Sequence, residues 1–199
     1  MNRDKYDENI SLDALRKGDK KAFAQLVKAN SEAIYRLALR MLNDPQDAED
    51  ILQETFIKAF HYLPNFEGRS KLSTWLYRIA VNESLMHIRK KKPQVTSIDE
   101  ENETDQGDLV PKQIIDWCCL PEDSLLTSET QEYISKAVQD LSPANRAAFL
   151  LRDISGLSTR EAAQALEISE SALKTRLSRA RLEMRELLTS YFSERMAAA

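Results

Sequence analysis

The chain has 199 residues, a formal net charge of −4 and a sequence pI near 5.4. This length allows one or two domains, each able to bury a core, and the acidic balance argues against a protein that binds nucleic acid unaided. No apolar run approaches the roughly 18 residues of a membrane span, and the N-terminus lacks a hydrophobic signal region, so we expect a cytoplasmic protein.

The N-terminal part of the chain is predicted to be helical throughout. Ser11 is the expected N-cap of the first helix. Asn43-Asp-Pro45 interrupts the pattern, and Asp44 as N-cap, Pro45 at the first helical position and Asp47 in the first turn predict a new helix. The apolar positions before this break recur at helical spacing: Leu12, Leu15, Phe23, Leu26, Val27, Ile34, Leu37, Ala38 and Met41.

The helix that starts at Pro45 has an apolar side and an acidic side. Asp47, Asp50, Glu54 and Lys58 form an outward ridge, with Gln53 beside it. Such a ridge is either a solvated face or a surface suited to basic helices of a partner. The residues expected to face inward are Ala48, Ile51, Leu52, Thr55, Phe56, Ala59 and Leu63.

A further helix follows the turn Asn65-Phe-Glu-Gly68, with Ser73 as its expected cap. Aromatic residues among cations suit unpaired bases, which stack on rings while their phosphates pass Arg and Lys. Core packing is the alternative for Trp75 and Tyr77, whereas the Asn82 amide can read a base edge by paired hydrogen bonds. The exposed stripe is expected to contain Arg78, Asn82, Leu85 and Arg89, with Trp75 and Met86 beside it and Arg69 and Lys71 in the preceding loop.

Helical periodicity stops at Pro93, and an acidic stretch with Gly107, Pro111 and Pro121 runs to about Glu122. We predict a tether, which at about 30 residues would have a typical end-to-end distance of roughly 30 Å. Its acids either mimic a nucleic-acid strand or only increase solubility. Cys118 and Cys119 have no zinc-ligand spacing, so reduced thiols are expected and redox sensing is a weaker hypothesis.

A helix-turn-helix is predicted after this tether. Ser158 and Glu161 have the spacing of a capping box, and Ala162, Ala163 and Leu166 supply the buried side of a short helix. Glu167-Ile168 makes the turn, and Ser169 caps the second helix. Glycine is usual at this turn because it permits positive φ, so Glu167 should cost about 1 kcal/mol.

The second helix divides into an apolar stripe and a basic, hydroxyl-rich face. Between Leu173 and Leu182 there are four Lys or Arg residues and no acid. Such a face suits the phosphates and base edges of a major groove, although basic amphipathic helices also bind membranes and partner proteins. The stripe is expected to contain Leu173, Leu177, Ala180, Met184 and Leu187, and the opposite face Ser171, Lys174, Thr175, Ser178 and Arg181.

The two charge signs are segregated along the chain. Basic residues concentrate at 89–92 and in this second helix, whereas acids concentrate at 44–54 and 99–108. We infer that the chain alone binds DNA weakly and is assisted by a protein partner that covers or uses the acidic surface.

Three motifs in this order resemble a bacterial sigma factor, and the layout without a middle domain resembles the extracytoplasmic-function group. The resemblance covers nearly the whole chain, roughly 11–92 and 125–188. The motifs are Asp47-Ala-Glu-Asp-Ile-Leu-Gln-Glu-Thr-Phe56, Ser73-Thr-Trp-Leu-Tyr-Arg-Ile-Ala-Val-Asn82 and the helix-turn-helix that ends in Ser178-Arg-Ala-Arg181.

The resemblance implies an all-α fold of two small helical domains joined by a flexible acidic linker. Residues 1–93 would be sigma region 2, 94–124 the linker, 125–192 sigma region 4 and 193–199 a tail. The implied protein is a non-enzymatic subunit, without a cofactor or metal, that binds core RNA polymerase and directs it to promoters. An anti-sigma factor and a stress or envelope response are implied with it, whereas a small-molecule substrate and direct membrane insertion are not.

The resemblance also implies roles for individual residues. The ridge of Asp47, Asp50, Gln53 and Glu54 would bind the clamp helices of the largest polymerase subunit. Trp75 would wedge the upstream edge of the melted region, and the 66–73 loop with Asn82 would capture a flipped base. The implied minus-ten residues are Phe66, Arg69, Lys71, Ser73, Trp75, Arg78, Asn82 and Arg89, and the implied minus-thirty-five residues are Ser171, Lys174, Thr175, Arg176, Ser178 and Arg179.

Two other classes of protein remain as alternatives. A stand-alone regulator would need a dimer interface to read two half-sites, and the sequence shows no unused apolar seam for one. A helical metal-dependent phosphohydrolase could use Asp47, Asp50 and Glu54 as Mg²⁺ ligands, but it would need further acids from a second helix.

Overall fold

The computed structural model describes residues 11–91 and 128–198, and within these ranges every regular element is helical. Residues 11–91 form the N-terminal unit and residues 128–198 the C-terminal unit. The predicted linker, with Cys118 and Cys119, lies outside the described residues. The helices are α1 (Leu12–Arg16), α2 (Lys20–Leu42), α3 (Pro45–Tyr62), α4 (Leu72–Lys91), α5 (Ser128–Asp140), α6 (Pro143–Phe149), α7 (Thr159–Leu166) and α8 (Glu170–Ala198).

The N-terminal unit is a bundle in which α2, α3 and α4 pack against one another in pairs. The apolar run before Asn43 is divided between two helices, because Gly18 adopts a φ of 75° and α1 ends before it. Asp19 then caps α2, its Oδ1 accepting hydrogen bonds from the N–H groups of Lys21 at 2.7 Å and Ala22 at 2.9 Å. The most buried large residues of this bundle are Leu15, Leu26, Ile34, Met41, Leu63, Leu76 and Val81.

Most of the predicted helix starts in this unit are confirmed. Ser11 accepts from the N–H of Ala14, and Asp44 accepts from the N–H of Asp47 at 2.9 Å, with Pro45 in the first turn of α3. The prediction that Ser73 caps α4 is wrong. The helix begins one residue earlier, at Leu72, whose side chain is buried in the core and fixes the first turn there.

The C-terminal unit packs α6 and α7 against the long helix α8, with a π-helical turn at Leu150–Ile154 between α6 and α7. The predicted stripe of α8 is buried from Leu173 to Met184. Leu187, the last predicted member of the stripe, is only partly covered, and Leu188 is buried in its place. The step of four residues from Met184 to Leu188 keeps the stripe under the neighbouring helices.

The two units pack together, and one continuous cluster of buried apolar side chains includes residues from both. The broadest contact between them is that of α4 with α7. A hydrogen bond joins the units at another point, where Nε2 of Gln139 in α5 donates to the carbonyl oxygen of Arg40 in α2 at 2.6 Å. None of the helices in the described ranges has the length and apolar character needed to cross a membrane.

Arg146 is the charged residue at the centre of this junction, with only 8% of its surface exposed. Nη1 donates to the carbonyl oxygen of Met41 at 2.6 Å and to Oε1 of Gln139 at 2.7 Å. Nη2 donates to the carbonyl oxygen of Leu141 at 3.1 Å and to that of Gln139. Burial lowers the pKa of the Arg146 guanidinium, and the charge of Asp140 opposes that effect.

Replacing Arg146 by Met should therefore destabilise the protein by roughly 2–4 kcal/mol, because buried carbonyl oxygens in both units would lose their donor. Urea unfolding followed by circular dichroism measures this change. Arg152→Met is the matched control, because Arg152 makes no hydrogen bond to another described residue, and it should shift the free energy of unfolding by no more than about 0.5 kcal/mol. Equal midpoints for the two variants would contradict this role of Arg146.

Candidate nucleic-acid and partner interfaces

The predicted helix-turn-helix is formed by α7 and α8. The hydroxyl of Ser158 accepts from the N–H of Glu161, and the Glu161 carboxylate accepts from the N–H of Ser158 at 2.9 Å, so the capping box is confirmed. The Ser158 hydroxyl also donates to Oε2 of Glu161 at 2.7 Å, and this hydrogen bond, together with the one from the Ser158 N–H, holds the pKa of Glu161 below its usual range. Glu167 ends α7 in the left-handed region with a φ of 56°, which matches the predicted turn. Ser169 caps α8 by accepting from the N–H of Ala172 at 3.1 Å.

The face of α8 opposite its buried stripe is exposed and basic. Lys174, Thr175 and Ser178 are exposed, and Arg176 is half-buried. Thr175 donates its hydroxyl proton to the carbonyl oxygen of Ser171 at 3.1 Å, which leaves its oxygen able to accept from a base edge. This arrangement presents cations and hydroxyl groups on one side of a helix that a major groove can accommodate.

Arg181 is not available on that face, contrary to expectation. Its guanidinium makes two hydrogen bonds to the Asp153 carboxylate, at 2.9 and 2.7 Å, and this pairing raises the pKa of Arg181. The contact joins α8 to the π-helical turn, so Arg181 stabilises the unit. This pairing was not predictable from local spacing, because Asp153 lies 28 residues earlier.

The α4 stripe combines an amide with cations, as expected. The side chain of Asn82 is half-buried and makes no hydrogen bond to another described residue, and Arg89 is exposed near the end of the helix. Two further cations of this surface already have acidic partners in the C-terminal unit: Lys71 pairs with Glu161 at 3.1 Å, and Arg78 pairs with Glu167.

The loop before α4 is anchored by an aromatic pair. Phe66 is buried, and its ring lies 4.9 Å from that of the half-buried Trp75, measured between centroids. The carbonyl oxygen of Phe66 accepts from the Arg16 guanidinium at 3.0 and 2.6 Å. Phe66 therefore positions the loop from within the core, whereas Arg69 is exposed and pairs with its neighbour Glu67. Ser73 is half-buried in the first turn of α4.

The acidic ridge of α3 is shorter than expected. Asp50 and Gln53 are exposed, and Glu54 lies beside them, 3.4 Å from Nζ of Lys58. Lys58 also pairs with Glu83 of α4 at 2.7 Å, and this carboxylate raises the pKa of Lys58.

The placement of Asp47 on that ridge is wrong. Its side chain is only 14% exposed, and it contacts Lys91 and, at 3.2 Å, Nε2 of His87. The hydrogen bond from Lys91 lowers the pKa of Asp47, an effect that the charge of His87 reinforces. The last turn of α4 contains basic residues and crosses the start of α3. The Asp47 carboxylate therefore lies between the two helices and is not on the exposed ridge.

An exposed apolar patch lies next to Gln53 and was not predicted. Ile57 is 52% exposed and Phe60 is 44% exposed, and both line a shallow groove with Phe23, Phe56 and His61. The rings of Phe23 and Phe60 meet edge to face, with centroids 5.0 Å apart. The sequence did contain a signal for this patch, because Ile57 and Phe60 lie outside the stripe of α3 that was expected to face inward.

Within the described ranges, no group of three or more acidic, His or Cys side chains is arranged to hold a metal ion. Asp47, one of the three candidate Mg²⁺ ligands, contacts Lys91 and His87.

These surfaces define a two-unit helical DNA-binding protein, with a helix-turn-helix in one unit and an aromatic and basic helix in the other. The family description Sigma-70 region 2 matches residues 26–94, and Sigma-70, region 4 matches residues 131–184. The chain belongs to the sigma-70 family of RNA polymerase sigma factors, within its extracytoplasmic-function group.

Relatives of known role span nearly the same length. The chain is 38% identical over 174 residues to the ECF RNA polymerase sigma factor SigW of Bacillus subtilis, covering 87% of this chain and 92% of the relative. It is 35% identical to the RNA polymerase sigma-H factor of Pseudomonas aeruginosa, covering 85% and 88%. It is 32% identical to the ECF RNA polymerase sigma-E factor of Escherichia coli K12, covering 87% and 90%.

Two solved structures share the architecture. Sigma factor RpoE of Bartonella quintana, in complex with the anti-sigma factor NepR, superimposes with a TM-score of 0.62 at 28% identity, covering 85% of this chain and 98% of that one. CnrH, in complex with the cytosolic domain of CnrY, shares the fold with a TM-score of 0.65 at 23% identity, covering 90% and 95%.

The pairing of Asp47 predicts a pH dependence. A lowered native pKa means that the carboxylate stabilises the fold above the ordinary value near 3.8, and that this contribution is lost as the pH falls through the lowered native value. Asp47→Asn should therefore be less stable than the wild type at neutral pH, and the difference should shrink in acid. Urea unfolding across a pH series measures it, with the exposed Asp50→Asn as control. A difference that stays constant into acid would contradict the pairing.

Proposed function

We propose that this sigma factor, a subunit that directs RNA polymerase to initiate at promoters, reads two promoter elements with two of the surfaces described above. The loop before α4 and the α4 stripe would read the minus-ten element, and the basic face of α8 the minus-thirty-five element. The observation that supports this most is the pair of DNA-suited surfaces on separate units of one acidic chain. Neither surface suffices alone, so both would act within the holoenzyme.

At the minus-ten element, Asn82 would hydrogen-bond an unpaired base. Its amide has no partner among the described residues, and Trp75 stands one turn before Arg78 on the same side of the helix to support the edge of the melted region. Unpairing a base costs a few kcal/mol, which stacking and hydrogen bonding in one pocket can offset without ATP. The cations Arg69, Lys71, Arg78 and Arg89 would contact the strand's phosphates, with Ser73 beside them and Phe66 holding the loop.

At the minus-thirty-five element, α8 would lie in the major groove. Lys174, Arg176 and Arg179 supply cations for phosphates and guanine edges, and a bidentate contact with a base discriminates by about 1–3 kcal/mol. The hydroxyl groups of this face belong to Ser171, Thr175 and Ser178. The capping box of α7 fixes the angle at which α8 is presented.

The polymerase would bind α3. Asp50, Gln53 and Glu54 offer acceptors to a basic helix, and Ile57 with Phe60 adds apolar area at the centre of the same face. The clamp helices of the largest subunit are the proposed partner. Asp47 would act indirectly, by holding α3 against the end of α4.

We also propose the finer points that accompany this role. Residues 1–93 would form the polymerase and minus-ten domain, 94–124 the linker, 125–192 the minus-thirty-five domain and 193–199 a tail. The protein would act in the cytoplasm, without catalysis of its own, in a stress or envelope response. An anti-sigma factor, the class of partner with which RpoE of Bartonella quintana was crystallised, would restrain it by covering the surfaces that polymerase and DNA need.

Transcription from fragmented host DNA by purified core polymerase, with and without this protein, tests the proposal directly. We expect new RNA start sites that share two upstream motifs at a fixed spacing. An active core polymerase that gains no new start sites from the protein would contradict the proposal.

Asn82→Ala should reduce initiation at such a promoter by roughly fivefold to a hundredfold, because the loss of a hydrogen-bonding group costs roughly 1–3 kcal/mol. Single-round transcription and permanganate footprinting of the melted region measure this step. Binding to core polymerase, measured by fluorescence anisotropy, should be unchanged.

The control for this variant is Gln25→Ala, which removes an exposed amide from α2. It should leave both initiation and polymerase binding as in the wild type. Equal losses of initiation and polymerase binding in Asn82→Ala would show that Asn82 supports the fold of the unit and does not read DNA.

A further inference from the structure

The flipped minus-ten base has a proposed hydrogen-bonding partner in Asn82, but no assigned ring on which to stack. The ring of Phe66 is buried, and it packs against that of Trp75 with centroids 4.9 Å apart. A base held by one amide alone would lack the stacking that offsets the cost of unpairing it. An exposed aromatic side chain close to both Asn82 and the loop before α4 would supply this contact.

Tyr62 is an aromatic side chain of this kind. It is the last residue of α3, directly before the short helical turn Leu63–Asn65 that leads into the loop, and it is 59% exposed. It makes no hydrogen bond or ring contact with another described residue. Its ring therefore offers a free face on which a base can stack, and a large apolar area that such a contact would bury.

Two ion pairs show how α3 and α4 lie against each other. At the start of α3, Asp47 pairs with Lys91 at the end of α4. Further along α3, Lys58 pairs with Glu83, which comes earlier in α4, with 2.7 Å between Nζ and Oε2. The two helices therefore run antiparallel, so that each step forward along α3 corresponds to a step back along α4.

This register places Tyr62 beside the minus-ten stripe. Tyr62 follows Lys58 by one turn on the same face of α3, and Ile79 precedes Glu83 by one turn on the same face of α4. Tyr62 and Ile79 therefore lie opposite each other. Ile79 is half-buried and is a surface neighbour of Asn82, since residues three apart on a helix are adjacent. A ring, an apolar side chain and an amide thus meet at one end of the bundle.

Tyr62 does not belong to the apolar patch proposed to bind polymerase. Phe60 of that patch lies two residues earlier in α3, which corresponds to a rotation of roughly 200° about the helix axis. The two rings therefore lie on opposite faces of α3, so a polymerase helix bound over Phe60 and Ile57 would leave the ring of Tyr62 accessible to DNA.

We propose that Tyr62 is the stacking residue of the minus-ten site, and that the flipped base lies against its ring and over Ile79 while Asn82 reads the edge of that base. This inference rests on the proposed function, because that function assigns Asn82 to the minus-ten element. The two side chains have different roles. Every base has a face that can stack, so Tyr62 contributes affinity, whereas hydrogen bonds to the edge distinguish bases, so Asn82 contributes selectivity.

The test compares three replacements of Tyr62 in holoenzyme assembled from core polymerase and the full chain. Tyr62→Ala removes the side chain, Tyr62→Leu keeps apolar bulk without an aromatic face, and Tyr62→Phe keeps the ring. The probe is a fluorescein-labelled single-stranded DNA with the non-template minus-ten sequence of a promoter found by start-site mapping. It is titrated with holoenzyme at fixed salt and followed by anisotropy.

We expect Tyr62→Ala and Tyr62→Leu to weaken binding of this probe by roughly fivefold to a hundredfold, the scale of one base stacked on an aromatic ring. Tyr62→Phe should bind as the wild type does, because the ring remains. An affinity of Tyr62→Ala equal to that of the wild type would overturn the proposal. So would an equal loss of binding to core polymerase alone, since Tyr62 would then belong to the polymerase interface.

A set of abasic probes separates stacking from support of the loop. Each probe lacks the base at one position of the minus-ten element. At the position of the flipped base, Tyr62→Ala should bind no more weakly than the wild type, because there is no base left to stack. A loss that persists at every abasic position would overturn the proposal, since Tyr62 would then act through the shape of the loop.

Probes with each of the four bases at that position test the division of roles. Tyr62→Ala should lower affinity for all four and keep the wild-type order of preference, whereas Asn82→Ala should change that order. A changed order in Tyr62→Ala would contradict the assignment of selectivity to Asn82 alone.

Failure of this inference is distinguishable from failure of the proposed function. Transcription by wild-type protein with core polymerase tests the function alone, and a lack of new start sites would refute both. A wild-type protein that directs initiation, together with a Tyr62→Ala variant that binds every probe equally well, would retain the proposed promoter reading and remove only the stacking role of Tyr62.

Discussion

Arg146 sets the arrangement of the whole molecule, because a buried guanidinium must find acceptors for its N–H groups. It finds them in both units, on the carbonyl oxygen of Met41 at the end of α2 and on Gln139 and Leu141 of its own unit. Helix α6 is thereby fixed against the N-terminal bundle, and α7, which follows α6 after one irregular turn, is placed on α4. The pairing of cations on one unit with acids on the other follows from that placement.

Several carboxylates of this acidic chain join one helix to another through ion pairs. Asp153 fixes α8 through Arg181, Asp47 fixes α3 to the end of α4 through Lys91, and Glu83 holds Lys58 between the same two helices. The exposed Asp50 lies on α3, near an apolar patch. Exposed positive charge lies on α8, and the net charge of −4 agrees with a subunit that acts within an assembly.

Local features were predictable from the sequence, and features that join distant residues were not. The caps at Asp44, Ser158 and Ser169 were found because each involves side chains and N–H groups a few residues apart. The helical fold followed from periodicity for the same reason. The burial of Phe66, the inward turn of Asp47 and the role of Arg146 depend on partners up to 105 residues away. Residue type did not distinguish the exposed Ile57 and Phe60 from core residues, although both lie outside the stripe of α3 that was expected to face inward.

The backbone and the side chain of Glu167 have opposite effects on stability. Its left-handed backbone favours glycine, yet its carboxylate pairs with Arg78 of the other unit. A glutamate codon becomes a glycine codon by one base change, so the variant that relaxes the turn and loses the carboxylate is always one mutation away. Glu167→Gly would therefore have two opposite effects on stability: the turn would lose its strain, and the contact between the two units would lose the ion pair with Arg78.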